Sequence, residues 1–371
     1  GKQLLFIFIS SLIAFFLIII DWKFFFSLSF IIYALSIISL ILILFIGKIT
    51  NGSLSWFDFG SFRIQPSEFA KFATSLALAR YINLFSIKKF NLSKTILCIS
   101  IITIPLLLII FQNDTGTALI FLSFILVLYR EGLTENILIF GLSVFVLTIM
   151  CLIIDFFILI IVLVIISCII FYFLKKKKKN FINIIILLFF CIAYSYFINY
   201  TVKNILPKHQ SERIMVVLGQ KKDPHGIGYN VIQSKIAIGS GGLIGKGYLK
   251  GTQTRFDFVP EQSTDFIFCT IGEEWGFLGA LIFICLYISL LLRVLFLSER
   301  QRSNFSRVYG YSVACILFFH FIINIGMTIG LFPVVGIPLP FISYGGSSLI
   351  SFTILLFVFL NLDSYRLQIL R

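Results

Sequence analysis

Charged residues are scarce in this sequence. Only 12% of its 371 residues are Asp, Glu, Lys or Arg, whereas 59% are hydrophobic. Soluble globular domains usually contain roughly 25% charged residues, so this composition excludes a soluble domain. It indicates an all-α polytopic membrane protein, and we expect a single transmembrane domain over residues 1–371.

The patterns that hold metals or form disulfides are also missing. The seven cysteines include no C-x-x-C pair, and the histidines, His209, His225 and His320, are scattered along the chain. Structural zinc sites and disulfide frameworks depend on closely spaced ligands or paired cysteines. We therefore expect no disulfide framework, no resident metal site and no histidine-based catalytic centre.

Long apolar runs, in contrast, are frequent. A membrane-spanning helix needs about 20 apolar residues, and about eleven segments meet this requirement. They are centred near residues 12, 35, 76, 103, 122, 145, 165, 190, 281, 319 and 353. The basic loops at 88–94, 175–179 and 300–307 and the basic C-terminus all fall on one side if the chain starts outside. Because Lys and Arg in short loops favour the cytoplasm, we predict that this side is cytoplasmic.

Two segments remain outside the membrane in this topology, residues 47–66 and 201–264. The first contains Trp56 and Arg63, which suit a segment lying at the level of the lipid headgroups. The second carries nine basic and four acidic residues, so its net charge is 9 − 4 = +5. This excess predicts an anionic partner at the outer surface.

Acidic side chains at the membrane boundary are the first candidates for function. Asp265 stands immediately before a long apolar run, where an ionised acid is costly and invites a functional interpretation. Glu68 and Lys71 are three residues apart on one face of a predicted helix, so we expect them to pair. Asp114 precedes another apolar run, and a helix N-cap explains it more simply than catalysis does.

A glycine-rich segment, residues 236–253, has two interpretations. Its glycines and the nearby Lys235 and Lys246 could bind a phosphate group through backbone amides and positive charge. The same glycines could instead permit tight turns and close packing against helices. The sequence does not match a Walker A motif, because Gly247 follows Lys246 where Ser or Thr is required.

Five motifs, in this order, resemble those of the SEDS family, whose members act in shape, elongation, division and sporulation. They are QPSEFAK, QNDTGTAL, QSKIAIGSGGLIGKG, GTQTRFDFVPEQSTDFIF and GLFPVVGIPLPFISYGGSS. The resemblance extends from near residue 1 to about residue 363 and is greatest to the members that act in cell elongation. It implies a peptidoglycan glycosyltransferase that polymerises lipid II at the outer face of the bacterial cytoplasmic membrane.

The resemblance also implies roles for particular residues and partners. The acid of the TDFIF motif, here Asp265, is expected to be catalytic, and Glu68 and Lys71 are expected to lie in the substrate cavity. We add Arg63, Trp56, Lys235, Lys246 and Asp114 as candidates for substrate binding. A divalent cation, Mg²⁺ or Mn²⁺, could help to stabilise the pyrophosphate. The expected partners are lipid II, a class B penicillin-binding protein and other membrane proteins of the elongation complex, and no nucleic acid.

Two departures from the family pattern are expected. We expect the usual first span to be missing, since residue 2 onward resembles the second span of the family and the chain does not begin with Met. Residues 150–199 resemble an inserted helical hairpin, which adds two spans and preserves the orientation of everything after it.

Two other functions compete with polymerisation. The first is a flippase that moves lipid II across the bilayer, which should place ionisable groups through the membrane midplane. The candidate residues instead cluster towards the outer boundary, and His320 and Asn324 are the main exceptions. The second is a scaffold without catalytic activity, which gives no reason for an acid at position 265.

Overall fold

Helices form nearly all of the regular structure. The computed structural model describes residues 2–50, 52–60, 63–85, 92–173, 178–205, 215, 228–256 and 258–367. Its helices are α1 (Lys2–Ile19), α2 (Trp22–Ile46), α3 (Pro66–Phe85), α4 (Leu92–Phe111), α5 (Thr115–Phe121), α6 (Phe124–Arg130), α7 (Glu135–Ile153), α8 (Phe156–Phe173), α9 (Lys178–Tyr200), α10 (Tyr229–Ser240), α11 (Thr252–Arg255), α12 (Ile267–Glu299), α13 (Asn304–Thr328) and α14 (Gly346–Ser364). A π-helical turn, Thr201–Ile205, follows α9.

The expected helical membrane fold is confirmed. Ten of the eleven predicted centres fall within helices, and the one near residue 122 falls in a turn between α5 and α6. In the described part of the chain, seven helices are long and apolar enough to cross a membrane: α1, α2, α4, α9, α12, α13 and α14. The total of eleven spans stays a prediction.

The chain divides into two compact units. One comprises residues 1–133 and 230–371, and the other comprises residues 134–229. In the first unit α3 lies against α2 and α13. Small residues on α3, among them Ala70, Ala73 and Ala77, are almost fully buried. Small side chains let helices approach closely inside a membrane, so α3 can occupy the interior despite its modest hydrophobicity.

The second unit contains α7, α8 and α9, and the last two pack against each other. The hydroxyl groups of Thr148 and Tyr194, on α7 and α9, are 2.7 Å apart. Both helices of the expected hairpin at 150–199 are therefore present, although its status as an insertion stays a prediction. Residues 175–177 of its lysine run, and most of 206–227, lie outside the described residues.

The segment at 47–66 contains a small antiparallel sheet that the sequence did not lead us to expect. Its strands are β1 (Lys48–Thr50), β2 (Ser53–Asp58) and β3 (Arg63–Ile64), in that order across the sheet. The backbone amide of Leu54 donates to the carbonyl of Gln112 at 2.9 Å. This bond fixes the sheet to the end of α4, close to the start of α3.

The long helix α12 is broken at Gly276, whose φ is +65°. The amides of Phe277 and Leu278 donate to the carbonyls of Gly242 and Leu243, at 2.9 and 3.1 Å. A Cβ on Gly276 would lie 2.3 Å from the nitrogen of Gly245, so no other residue fits without movement. The glycine-rich segment is thus packed directly into the break.

The same contact supports the second interpretation of the glycine-rich segment, close packing against a helix. The amides of Lys246 and Gly247 donate to the carbonyls of Glu273 and Glu274, at 3.1 and 2.9 Å. These amides are occupied, so they do not form a phosphate cradle. The structure supports close packing against a helix at these two residues, and phosphate binding elsewhere in the segment stays a prediction.

Candidate active site

Asp265 lies in the turn that leads into α12 and is half-buried. Three consecutive carbonyl groups of this turn accept hydrogen bonds from α13 and from the loop that joins α13 to α14. Ser263 accepts from the amide of Tyr344 at 2.8 Å, Thr264 accepts from the hydroxyl of Ser343 at 2.5 Å, and Asp265 accepts from Nδ2 of Asn324 at 2.8 Å. The backbone is therefore held at three consecutive residues, which end at Asp265.

The carboxylate of Asp265 faces the same loop. Gly336 has a φ of +69°, and a Cβ on it would lie 3.5 Å from Oδ2 of Asp265. Gly336 has a left-handed backbone conformation, which residues with a side chain adopt less readily. This conformation brings the backbone of Gly336 beside the Asp265 carboxylate. The position of Asp265 is thus set by α13 and by the loop between α13 and α14, both of which are distant from it in the sequence.

Glu68 and Lys71 form the expected ion pair. Nζ of Lys71 is 2.8 Å from Oε1 of Glu68, and their side chains are only 1% and 3% exposed, respectively. The lysine ammonium also lies 2.8 Å from Nε2 of His320 and 4.9 Å from the centre of the Phe352 ring. Its charge is therefore surrounded by an acid, an imidazole and an aromatic face.

His320 is the member of this cluster that sequence analysis did not select. Its Nδ1 is 3.1 Å from the carbonyl oxygen of Pro338. A carbonyl can only accept and an ammonium can only donate, so His320 donates from Nδ1 and accepts at Nε2. Both neighbours favour the same neutral tautomer. No sequence spacing links His320 to Lys71, because 249 positions separate them.

Asp114 is the N-cap of α5, as expected. Its Oδ1 accepts from the amide of Thr117 at 3.1 Å. Its Oδ2 accepts from Nε2 of Gln65 at 2.8 Å and from the hydroxyl of Ser67 at 3.2 Å. Asp114 therefore fixes the start of α3, one turn before Lys71. Contact between Asp114 and the substrate stays a prediction.

Arg63 and Trp56 lie in the sheet rather than beside Lys71. Nε of Arg63 is 3.6 Å from Oδ2 of Asp58, which also accepts from Lys48 at 2.9 Å, and the Arg63 side chain is 56% exposed. The hydrogen bond from Lys48 lowers the pKa of Asp58, with help from the Gly60 amide and from the charge of Arg63. This arrangement leaves Arg63 accessible to an anionic ligand, and its role in binding stays a prediction.

Lys246 is engaged in a buried structural contact. Its Nζ lies 2.7 Å from Oε1 of Glu273, which is fully buried. The Glu273 carboxylate also accepts from three consecutive amides, those of Thr252, Gln253 and Thr254, at 2.8 to 2.9 Å. Glu273 therefore holds the loop before Asp265 against α12, and this geometry favours a structural role for Lys246.

Loss of the Glu273 charge should destabilise this loop. We expect Glu273→Gln to lower the free energy of unfolding by about 3 kcal/mol, because it leaves Lys246 unpaired and removes an acceptor from buried amides. Thermal unfolding in detergent measures the change. Glu274→Gln is the matched control, since no hydrogen bond to its side chain is found in the described part of the chain. An equal loss of stability in both variants would contradict this role.

Lys235 has a different environment. It is exposed on α10, and within the described ranges its ammonium makes no hydrogen bond or ion pair. Its side chain lies over Gly330, where a Cβ would be 2.5 Å from Nζ, and Gly330 opens the loop that reaches Asp265. The neighbouring Ser234 donates to the carbonyl of Thr328 at 2.9 Å, which fixes α10 to the end of α13. Among the described residues, Lys235 is thus an unpaired cation beside the start of this loop.

The sequence as a whole matches a known family. The family model for FtsW, RodA and SpoVE, described as cell cycle proteins, matches residues 1–159 and 155–368. This chain belongs to that family, the SEDS family. The resemblance inferred from five motifs is therefore confirmed over nearly the whole chain.

Curated SEDS proteins resemble the chain along most of their length. It is 37% identical to the peptidoglycan glycosyltransferase MrdB of Escherichia coli over 319 residues, which cover 86% of this chain and 73% of MrdB. It is 32% identical to the peptidoglycan glycosyltransferase RodA of Treponema pallidum over 333 residues, which cover 82% of this chain and 75% of RodA.

Solved structures of other proteins share its fold. The chain superposes on a subunit of a peptidoglycan synthase complex with a TM-score of 0.72 and 26% identity, covering 99% of this chain and 90% of that one. That complex is described as coordinating polymerization and crosslinking. The RodA protein of Thermus thermophilus gives a TM-score of 0.63 at 23% identity, covering 98% and 87% of the two chains. This last likeness shows the fold alone.

Proposed function

We propose that this protein is a peptidoglycan glycosyltransferase that polymerises lipid II into glycan strands for cell elongation and rod shape. The observation that carries the proposal is the placement of Asp265. Three backbone hydrogen bonds hold its turn, and its half-buried carboxylate faces a loop that also contacts the buried cluster of Lys71 and His320. The names and activities of the related SEDS enzymes support the same assignment.

Asp265 acts as the general base in this proposal. It takes the proton from the 4-hydroxyl of the acceptor N-acetylglucosamine as that oxygen attacks C1 of the donor N-acetylmuramic acid. The new bond joins C1 to this oxygen, and the bond from C1 to the lipid pyrophosphate breaks. Because the α-linked donor gives a β-linked product, one inverting displacement suffices, and one carboxylate activates the incoming oxygen.

The departing pyrophosphate needs positive charge rather than an acid. Lys235 suits this role because its ammonium is exposed and free of partners within the described ranges. Lys71 is enclosed by Glu68, His320 and Phe352, so direct contact with pyrophosphate would require that cluster to open. In the described segments, no group of three or more His, Cys, Asp or Glu side chains could hold a metal ion. A Mg²⁺ or Mn²⁺ ion bound to the pyrophosphate stays a prediction.

Removal of the Lys235 charge should weaken substrate binding. We expect Lys235→Gln to raise KM for lipid II about tenfold, since a hydrogen bond to a charged group contributes about 1.5–3 kcal/mol. Steady-state polymerisation at several lipid II concentrations measures KM. Lys250→Gln is the control because it removes the same charge from another exposed lysine of the same outer segment. Equal values of KM in the wild type and in Lys235→Gln would remove Lys235 from the binding site.

The proposed setting is the bacterial cytoplasmic membrane, with Asp265 at the outer face. The several membrane-spanning helices show a multi-pass membrane protein. The related complex, in which polymerization and crosslinking are coordinated, supports a partner that crosslinks the product. We propose a class B penicillin-binding protein for this partner, alongside other membrane proteins of the elongation complex.

Lipid II flipping is the competing function, and one observation favours it. The cluster of Lys71, His320 and Asn324 is polar, buried and contained within helices, as in many transport proteins. Vesicles with labelled lipid II separate the two activities. Flipping that continues without any polymerisation would favour the transporter, whereas a scaffold would show neither activity.

Polymerisation of purified lipid II tests the proposal directly. The full-length protein should be assayed together with its cognate transpeptidase, and glycan chains should be resolved by gel electrophoresis. We expect chains whose formation depends on Asp265. If the pair folds and associates but makes no glycan, polymerase activity is refuted.

A further inference from the structure

One face of α13 carries two polar side chains that take no part in the proposed chemical step. His320 and Asn324 are four residues apart, so they lie on the same side of the helix, about 6 Å apart along its axis. Both are almost completely buried, with 1% and 0% exposure. Buried polar groups inside a membrane are expensive, so their partners indicate what they do.

Asn324 connects Asp265 to the loop between α13 and α14. Its Nδ2 donates to the carbonyl of Asp265 at 2.8 Å and to the carbonyl of Ile337 at 2.7 Å. Both partners can only accept, so the orientation of this amide is fixed by its neighbours. One side chain therefore ties the turn before α12 to the loop that faces the Asp265 carboxylate.

His320 makes the equivalent contact one helical turn earlier. It donates to the carbonyl of Pro338, the residue directly after Ile337, and accepts from the ammonium of Lys71. Two side chains one turn apart on α13 thus bind two consecutive carbonyls of the same loop. His320 also contacts Lys71 of the Glu68–Lys71 pair, and Asn324 also contacts Asp265.

We propose that Asn324 and His320 are positioning residues for glycosyl transfer. Asn324 fixes the backbone of Asp265 so that the carboxylate faces the attacking hydroxyl. His320, through the carbonyl of Pro338, fixes the loop that faces this carboxylate. The catalytic part of this proposal rests on the proposed polymerase function. Neither side chain needs to touch the substrate, since a displacement of about 1 Å in a catalytic group can reduce a rate about 100-fold.

The first test replaces the amide of Asn324 by an apolar group of similar size. We expect Asn324→Leu to lower kcat for polymerisation about 10–100-fold while KM changes by less than about threefold, because an orientation is lost rather than a substrate contact. His320→Gln retains one acceptor and one donor, whereas His320→Phe has neither. The kcat of the Gln variant should therefore be at least about five times that of the Phe variant.

Asn361 provides a matched control on α14. It is fully buried, and its Nδ2 donates to the carbonyls of Leu17, Ile18 and Ile20 at 3.0, 3.1 and 2.7 Å. Its Oδ1, like that of Asn324, has no donor in the described part of the chain. We expect Asn361→Leu to lower the folded yield as Asn324→Leu does, while kcat per folded molecule stays within about twofold of the wild type.

A second measurement does not depend on activity. Hydrogen exchange of a peptide covering residues 258–268 should become about tenfold faster in Asn324→Leu and should not change in Asn361→Leu, because Asn324 donates to the Asp265 turn and Asn361 donates to residues 17–20 instead. Unchanged exchange with full kcat in Asn324→Leu would overturn the proposal. So would an equal loss of kcat in Asn361→Leu. A wild-type protein without polymerase activity would refute the proposed function instead. The exchange result would still test whether Asn324 holds the Asp265 turn.

Discussion

Asp265→Asn should remove most of the polymerase activity while leaving folding and membrane insertion intact. The substitution keeps the size of the side chain but abolishes its basicity, and general-base assistance contributes typically 10² to 10⁴-fold to a rate. The backbone hydrogen bond from Asn324 to residue 265 does not depend on the side chain, so the turn should keep its position. Polymerisation of lipid II by equal amounts of folded protein measures the effect.

Glu299→Gln is a suitable control for this loss. Glu299 lies at the C-terminal end of α12, whereas Asp265 lies just before the N-terminal end of the same helix. The Glu299 carboxylate pairs with Arg130 in an exposed contact. An exposed ion pair contributes only about 0–1 kcal/mol, so this variant should polymerise normally. Glycan synthesis by Asp265→Asn at the wild-type rate would show that another group accepts the proton.

The buried Glu68–Lys71 pair should show strong coupling between its two members. We expect Lys71→Met alone to reduce folded protein severely, because it leaves a buried carboxylate without its cation, at a cost of about 3–5 kcal/mol. Glu68→Leu alone should be comparably harmful. The double variant should fold nearly as well as the wild type, because apolar residues of similar volume often replace a buried ion pair without loss.

Polymerisation by the double variant then separates a structural role from substrate binding. The enclosed ammonium of Lys71, whose side chain is 1% exposed, favours recovery of much of the rate along with the folded yield. A double-mutant cycle on both yield and rate measures the coupling. If the double variant folds but KM for lipid II rises about tenfold or more, Lys71 contacts the pyrophosphate and its role is more than structural.

Local chemistry explains which site features the sequence could predict. Asp265 stands at the edge of an apolar run, and Glu68 and Lys71 are helical neighbours, so periodicity and the energetics of charge in a membrane were enough to select them. The N-cap at Asp114 followed from its position before a helix. Each of these inferences depends on residues that are close together in the chain.

Contacts between distant segments explain what the sequence missed. The glycines and lysines of the segment at 236–253 are compatible both with phosphate binding and with packing against a helix. Only the structure around the break at Gly276 shows which backbone amides are already hydrogen-bonded. Lys246 likewise appeared available until the fold placed its ammonium on Glu273, 27 residues away. A free lysine and a paired lysine cannot be told apart from composition.

The sequence by itself determined the helical membrane architecture and the family, and it selected Asp265 as the candidate catalytic carboxylate, because apolar length and motif order are properties of the chain alone. Only the tertiary structure decided how that acid is held. His320 and Asn324 lie beside the site because α13 packs against α3 and against the loop that joins α13 to α14. Such contacts arise from packing among helices far apart in sequence, which a one-dimensional pattern does not specify.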